Sequence, residues 1–138
     1  MQTFFSEPTT EESLKVLDYR RLGKQRVEGY QILRTLTGAA KGWSSHPAVK
    51  MWRAYEPALL DYTLSACELW VERGYCDTLA DKLFDEFGFL MDHPIVYPPW
   101  IKNQKVIDSH KAMLYHKDNK KYAYYSKYAH ITAYVWPV

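Results

Sequence analysis

The stretch DYRRLGKQRVEGY, residues 18–30, sets four cations, Arg20, Arg21, Lys24 and Arg26, around one interior carboxylate, Glu28. Glu28 follows Lys24 by four residues and Arg21 by seven, so on a helix the three side chains share one face. On an open surface that stripe is an ion-pair ladder contributing roughly 0.3–0.5 kcal/mol. Partly enclosed, with bases in excess, it is a phosphate-binding face that holds one acid. Apolar Leu14, Leu17, Val27, Tyr30, Leu33 and Leu36 keep helical spacing around the stripe, which favours enclosure. Gly23 costs about 1 kcal/mol relative to alanine inside a helix, and is expected to leave room for a ligand or another backbone. The surrounding cations are expected to keep Glu28 ionised.

Other groups add to this pattern. In the tail, Tyr122, Tyr124, Tyr125, Tyr128, Tyr134 and Trp136 alternate with Lys117, Lys120, Lys121 and Lys127. Lysines interleaved with rings suit a nucleic acid, the cations meeting phosphates and the rings stacking on unpaired bases. The plainer reading packs the tyrosines over helices with their hydroxyls in water. His46, ahead of Pro47, and His110, in DSHK, could each donate to a phosphate, although a lone histidine is more often structural. Histidine spacing of the HExxH or HxH kind is absent, as are a Walker loop, GxSxG and GxGxxG, so no metal or cofactor is expected. The two cysteines, Cys67 and Cys76, have no ligand spacing and read as ordinary thiols, buried or half-buried.

The elements that must position these groups read as helices. A chain of 138 residues with 47% hydrophobic content is the size of one domain with its own core. No apolar run approaches the roughly 18 residues of a membrane span, and the first residues lack the pattern of a signal peptide, so a cytoplasmic location is expected. Net charge is only +2, but it is unevenly placed. Residues 14–53 hold nine Lys/Arg against two acids, 54–92 hold nine acids against two bases, and 93–138 hold seven lysines against two acids. If the two basic ends meet, they form a positive face suited to a polyanion.

Thr9 and Glu12 make a capping box, and the helix it opens is expected to run to about Leu36, with Gly38 ending it. Ser45 is the expected cap of a second helix that breaks near Tyr55–Glu56 at Pro57, resumes, and closes at Gly74. A shorter helix should start at Asp77 or Thr78. The proline-rich DHPIVYPPW should be extended, and NQKVIDSHKAMLYHKD helical, before an irregular tail with at most a strand over Ile131–Val135. The fold class is all-α: one compact helical bundle over residues 1–138 with an irregular aromatic–basic C-terminal tail.

LDYRRLGKQRVEGYQIL, GWSSHPAVKMW and YYSKYA, in that order, resemble segments of the pyrimidine dimer DNA glycosylase family, that of phage endonuclease V. RLGKQRVE and HPAV.MW are closer still to a bacterial and phage branch of it. The resemblance implies a helical DNA-repair N-glycosylase with associated AP lyase activity. It would act on damaged or modified pyrimidines in double-stranded DNA without a metal, as a monomer, in a bacterial or phage-infected cell. An amine attacks C1′, a Schiff base forms, and β-elimination breaks the strand. The resemblance places Glu28 on the catalytic glutamate. The nucleophile is an α-amine, here that of Met1 because Gln2 is too large for methionine removal, with Lys24 as the alternative. DNA-binding residues would be Arg20, Arg21, Lys24, Arg26, His46, His110, Lys121, Tyr125 and Lys127. The other readings are a non-catalytic DNA-binding domain and a glycosidase acting on small nucleotides.

Overall fold

Thr9 caps the first helix and pairs with Glu12 through its hydroxyl. Its hydroxyl accepts from the Glu12 amide at 3.1 Å and donates to the Glu12 carboxylate at 3.0 Å. In the computed structural model, which describes residues 3–138, this helix is α1, Thr10–Lys15. It does not continue to Leu36. The chain breaks over residues 16–18 and restarts as α2, Tyr19–Leu36. The break is held from a distance. The Arg73 guanidinium donates to the Leu17 carbonyl at 2.7 Å and the Lys15 carbonyl at 3.0 Å, satisfying acceptors that a helix end leaves bare. The Asp18 amide donates to the Tyr122 hydroxyl at 2.9 Å, which in turn donates to the Asp18 carboxylate at 2.7 Å.

The remaining helices are α3, Pro47–Lys50; α4, Glu56–Glu72; α5, Leu79–Phe87; and α6, Gln104–Lys117. Short 3₁₀ turns cover Gly88–Asp92, Pro99–Lys102 and Ala123–Tyr128. No strand occurs among the described residues, so the all-α class holds and Ile131–Val135 is not a strand. The cap of α3 is His46 rather than Ser45, its Nδ1 accepting from the Ala48 amide at 3.0 Å. The proline-rich connector is extended up to Pro98, where its last residues turn into 3₁₀. Gly38 at φ +86° and Gly74 at φ +93° close α2 and α4 in the left-handed region that favours glycine. No helix among the described residues is long and apolar enough to cross a membrane.

Helices α2 and α4 form the central pair, α1 and α5 lean on α4, and α6 carries the tail. The core is aromatic at the end where the chain begins. Phe4, Phe5, Trp52, Tyr62 and Trp100 are all buried, with rings 5.1–5.8 Å apart where they meet. Gly29 sets how closely α2 and α4 approach. A Cβ there would overlap Thr63 Oγ1 and lie 2.9 Å from Thr63 Cγ2. Gly23 has a related purpose and does not open a way for a ligand. The Trp70 ring fills the space above it, 3.1 Å from where a Cβ would stand.

Gly29→Ala is therefore expected to destabilise the fold by about 1–3 kcal/mol, the usual cost of overpacking a tight core. Adding Thr63→Ala to that variant should recover at least half of the loss, because the two sites couple by direct contact. Urea denaturation of the wild type, the two single variants and the double variant reads both numbers.

Candidate active site and nucleic-acid interface

Glu28 lies midway along α2, directly before the glycine that admits α4, and is 9% exposed. Burial pushes its carboxyl above the ordinary glutamate range, and the charges of Lys117 and Lys24 act against that. The nearby cations do favour the carboxylate, as expected, but removal from water outweighs them and the net direction is upward. Lys24 reaches it from one helical turn away. Lys117 comes from the last turn of α6, 89 residues on, and no spacing in the sequence announces it. Gln25, wholly buried, lies beside the Tyr62 hydroxyl one turn before Glu28.

The basic helix divides its cations among different tasks. Arg21 turns to Asp18, Nη1 to Oδ1 at 3.0 Å, and lies over the Tyr122 ring. Arg20 stays exposed against the Tyr19 hydroxyl, and Lys121 from the tail approaches Asp18 to 3.8 Å. Arg20, Arg21 and Lys121 therefore gather where the tail crosses the start of α2. Lys24 is exposed beside Glu28, and Lys127 is exposed along the Tyr128 ring at 5.1 Å.

Three expected DNA contacts are corrected by burial. Arg26 is paired with Asp77 and lies 4.5 Å from the Trp70 ring centroid, its side chain 13% exposed. It fastens α2 to the residues ahead of α5. The same pair stands beside Cys67, whose thiol burial pushes up to about 12. The other thiol, Cys76, is exposed. Tyr125 is buried, its hydroxyl donating to the Glu7 carboxylate at 2.6 Å. His110 is wholly buried, and burial, aided by Lys117, pulls it down to about 3, so it is neutral. Its Nδ1 accepts from the backbone amides of both Phe4 and Phe5 at 3.1 Å. Met1 lies outside the described residues. Among the described residues no three His, Cys, Asp or Glu side chains converge to hold a metal ion.

His46 belongs to an aromatic run that sequence reading did not assemble. Trp43, 55% exposed and at φ +74°, stacks on His46 with centroids 5.6 Å apart. His46 meets Trp136 edge-on at 5.9 Å, and Trp136 meets Tyr134 at 4.9 Å. The Tyr134 hydroxyl accepts from Lys117 Nζ at 2.8 Å and bonds the Thr3 hydroxyl at 3.0 Å. The run thus leads from an exposed tryptophan to the lysine whose charge acts on Glu28. A cleft of about 250 Å³ lies along its open end, lined in part by Gln31, Thr35 and Trp43. Its α2 side, Gln31 and Thr35, lies one to two turns beyond Glu28. Trp43 was visible in sequence only as a residue of GWSSHP, and its exposure is a property of the fold.

A buried carboxyl able to hold a proton, two lysines acting on it, exposed cations on the same helix and tail, and rings alongside suit proton transfer next to a polyanion. A family model described as pyrimidine dimer DNA glycosylase matches residues 1–83, which include Glu28 and all of α2. No curated protein and no solved structure matches the chain. The matched span is more than half of the 138 residues, and the chain belongs to the pyrimidine dimer DNA glycosylase family.

Proposed function

We propose that the protein is a DNA-repair N-glycosylase with associated AP lyase activity. In this reading it acts on damaged pyrimidines in duplex DNA with Glu28 as the acid–base residue and the Met1 α-amine as nucleophile. The observation that carries the reading is Glu28, a single buried carboxyl with a raised pKa on the basic helix of the family match.

The amine nitrogen forms a bond to C1′ while the bond from C1′ to the base breaks and the base leaves. Deprotonation of the nitrogen and opening of the sugar ring give the Schiff base. Loss of a C2′ proton then expels the 3′ phosphate oxygen, which breaks the strand. An α-amine has a pKa of about 7.7–8.0, so a useful fraction is neutral near pH 7, where a free lysine has very little. Glu28 as carboxylate stabilises the positive charge that builds on the sugar and takes up protons in the later steps. A raised pKa suits that exchange, because proton transfer is most effective when the carrier's pKa nears the working pH.

Two features support an amine held near Glu28. The first described residue, Thr3, is fixed through Tyr134 to Lys117, whose charge acts on Glu28. Two residues of extended chain reach at most about 7 Å beyond it. For DNA contacts, the exposed Arg20, Lys24, Lys121 and Lys127 suit the flanking phosphates. Arg21 serves from its place over Tyr122, and His46 with Trp43 offers ring faces to an unstacked base.

Incision of UV-irradiated duplex in EDTA tests the reading. Glu28→Gln should lower single-turnover incision at least about 100-fold, the scale of a lost general acid–base group. Its DNA affinity should be equal or tighter, because a negative charge has left a phosphate-binding face. Incision by the variant at the wild-type rate would contradict the role of Glu28.

The raised pKa also has a stability consequence. Folded Glu28 holds its proton more tightly than unfolded Glu28, so ionisation favours the unfolded chain. The cost is absent below the unfolded pKa of about 4.3, grows as pH rises through the folded pKa, and is complete above it. Glu28→Gln should therefore melt higher than wild type at about pH 7.5 and at nearly the same temperature at about pH 3.5. Calorimetric scans at the two pH values show the difference.

A further inference from the structure

We propose that the C-terminal part of the chain is a clamp that sets where the amino-terminal amine stands. In it His110 acts on the backbone of Phe4 and Phe5, Tyr134 acts on Thr3, and both are positioning residues for the lyase reaction. The inference rests on the reading of the Met1 amine as nucleophile.

His110 is the first observation. One ring nitrogen, Nδ1, accepts from two successive backbone amides, those of Phe4 and Phe5, each at 3.1 Å. An accepting Nδ1 places the proton on Nε2. That atom is buried and has no hydrogen-bond partner among the described residues. The Tyr134 ring lies edge-on to the imidazole, with centroids 5.4 Å apart. A buried donor without a partner is unfavourable. A hydrocarbon side chain would avoid that cost but would leave the two amides bare. The histidine therefore serves to hold the amides, and it does so across 105 and 106 residues of sequence.

The segment is gripped on its other sides as well. The Phe4 carbonyl accepts from the Tyr62 hydroxyl at 3.2 Å, and the Phe4 and Phe5 rings lie in the aromatic core. Thr3 bonds Tyr134, which is itself bonded to Lys117. Glu7 is held by the Tyr125 hydroxyl and lies 3.8 Å from Lys111. Apart from Tyr62 and the other core rings, each of these holding groups comes from α6 or the residues after it. That region lies beyond residues 1–83 of the family match. With Thr3 fixed, an amine two residues away is confined to a sphere of about 7 Å. A displacement of about 1 Å between reacting groups can cost on the order of 100-fold in rate. A clamp on residues 3–5 therefore acts on rate more than on DNA affinity.

The experiment measures borohydride trapping under single turnover on a duplex with one abasic site, DNA affinity by anisotropy, and melting temperature. His110→Ala is expected to lower the trapping rate about 10- to 100-fold with affinity within about twofold of wild type. His110→Asn, whose Oδ1 can take the place of Nδ1, should restore most of that rate. Tyr134→Phe alters a half-exposed residue and removes one hydroxyl, which holds Thr3 and accepts from Lys117. It should fold normally and lose about 3- to 10-fold in rate.

Wild-type trapping rates in both His110→Ala and Tyr134→Phe would overturn the clamp. So would a rate loss in His110→Ala that only follows a fall in melting temperature, with Asn giving no rescue and Tyr134→Phe unchanged. Wild-type protein acetylated at its amino terminus separates the clamp from the reading beneath it. Full activity after acetylation would remove the α-amine, and the clamp with it. Lost activity after acetylation, with both variants at the wild-type rate, would overturn the clamp alone.

Discussion

The close approach of α2 to α4 at Gly29 and Thr63 is the constraint on which the rest depends. With no Cβ at position 29, the backbone of α2 meets the Thr63 side chain directly. That contact carries the preceding residue, Glu28, out of water and raises its pKa. The same pairing seats Trp70 of α4 over Gly23 and Arg26 of α2 against the Trp70 ring, so three successive turns of α2 are located by α4. A wider gap between the helices would hydrate Glu28, and an ordinary surface glutamate is a poor proton carrier at neutral pH.

Both basic regions of the sequence then meet around this helix. Asp18 is the junction at one end of α2, contacted by Arg21 from the helix and by Tyr122 and Lys121 from the tail. Lys117 brings the end of α6 to Glu28. The acidic middle of the chain, residues 54–92, lies on α4 and α5 and the turns beside them, and it spends Asp77 on Arg26 and Glu86 on Tyr30. Bases from both ends of the sequence thus come together at Asp18 and Glu28, while acids of the middle stretch pair with Arg26 and Tyr30 of α2.

Local chemistry was legible in the sequence and distant chemistry was not. Thr9 with Glu12, Pro57, Gly38 and Gly74 mark helix ends by rules that operate within a few residues, and the structure follows each of them. The break between α1 and α2 carries no such mark. Its causes are Arg73 and Tyr122, which are 56 and 104 residues from the carbonyl and amide they bind. Arg26 and His110 look like phosphate ligands as isolated residues, and only their partners, Asp77 and the amides of Phe4 and Phe5, show them to be internal fasteners. For Glu28 the neighbouring charges can be read from spacing, whereas the exclusion of water that raises its pKa cannot.

In the proposed reaction the Met1 amine attacks the sugar of a damaged nucleotide and Glu28 moves the protons. The most direct measurement reduces the protein with borohydride on UV-irradiated duplex DNA in EDTA and maps the cross-linked peptide by mass spectrometry. A covalent adduct is expected on the peptide that begins at Met1, formed by wild type and strongly reduced in Glu28→Gln. An adduct on the peptide carrying Lys24 would contradict the assignment of the nucleophile. No adduct at salt where the protein still binds the DNA would contradict the Schiff-base chemistry itself.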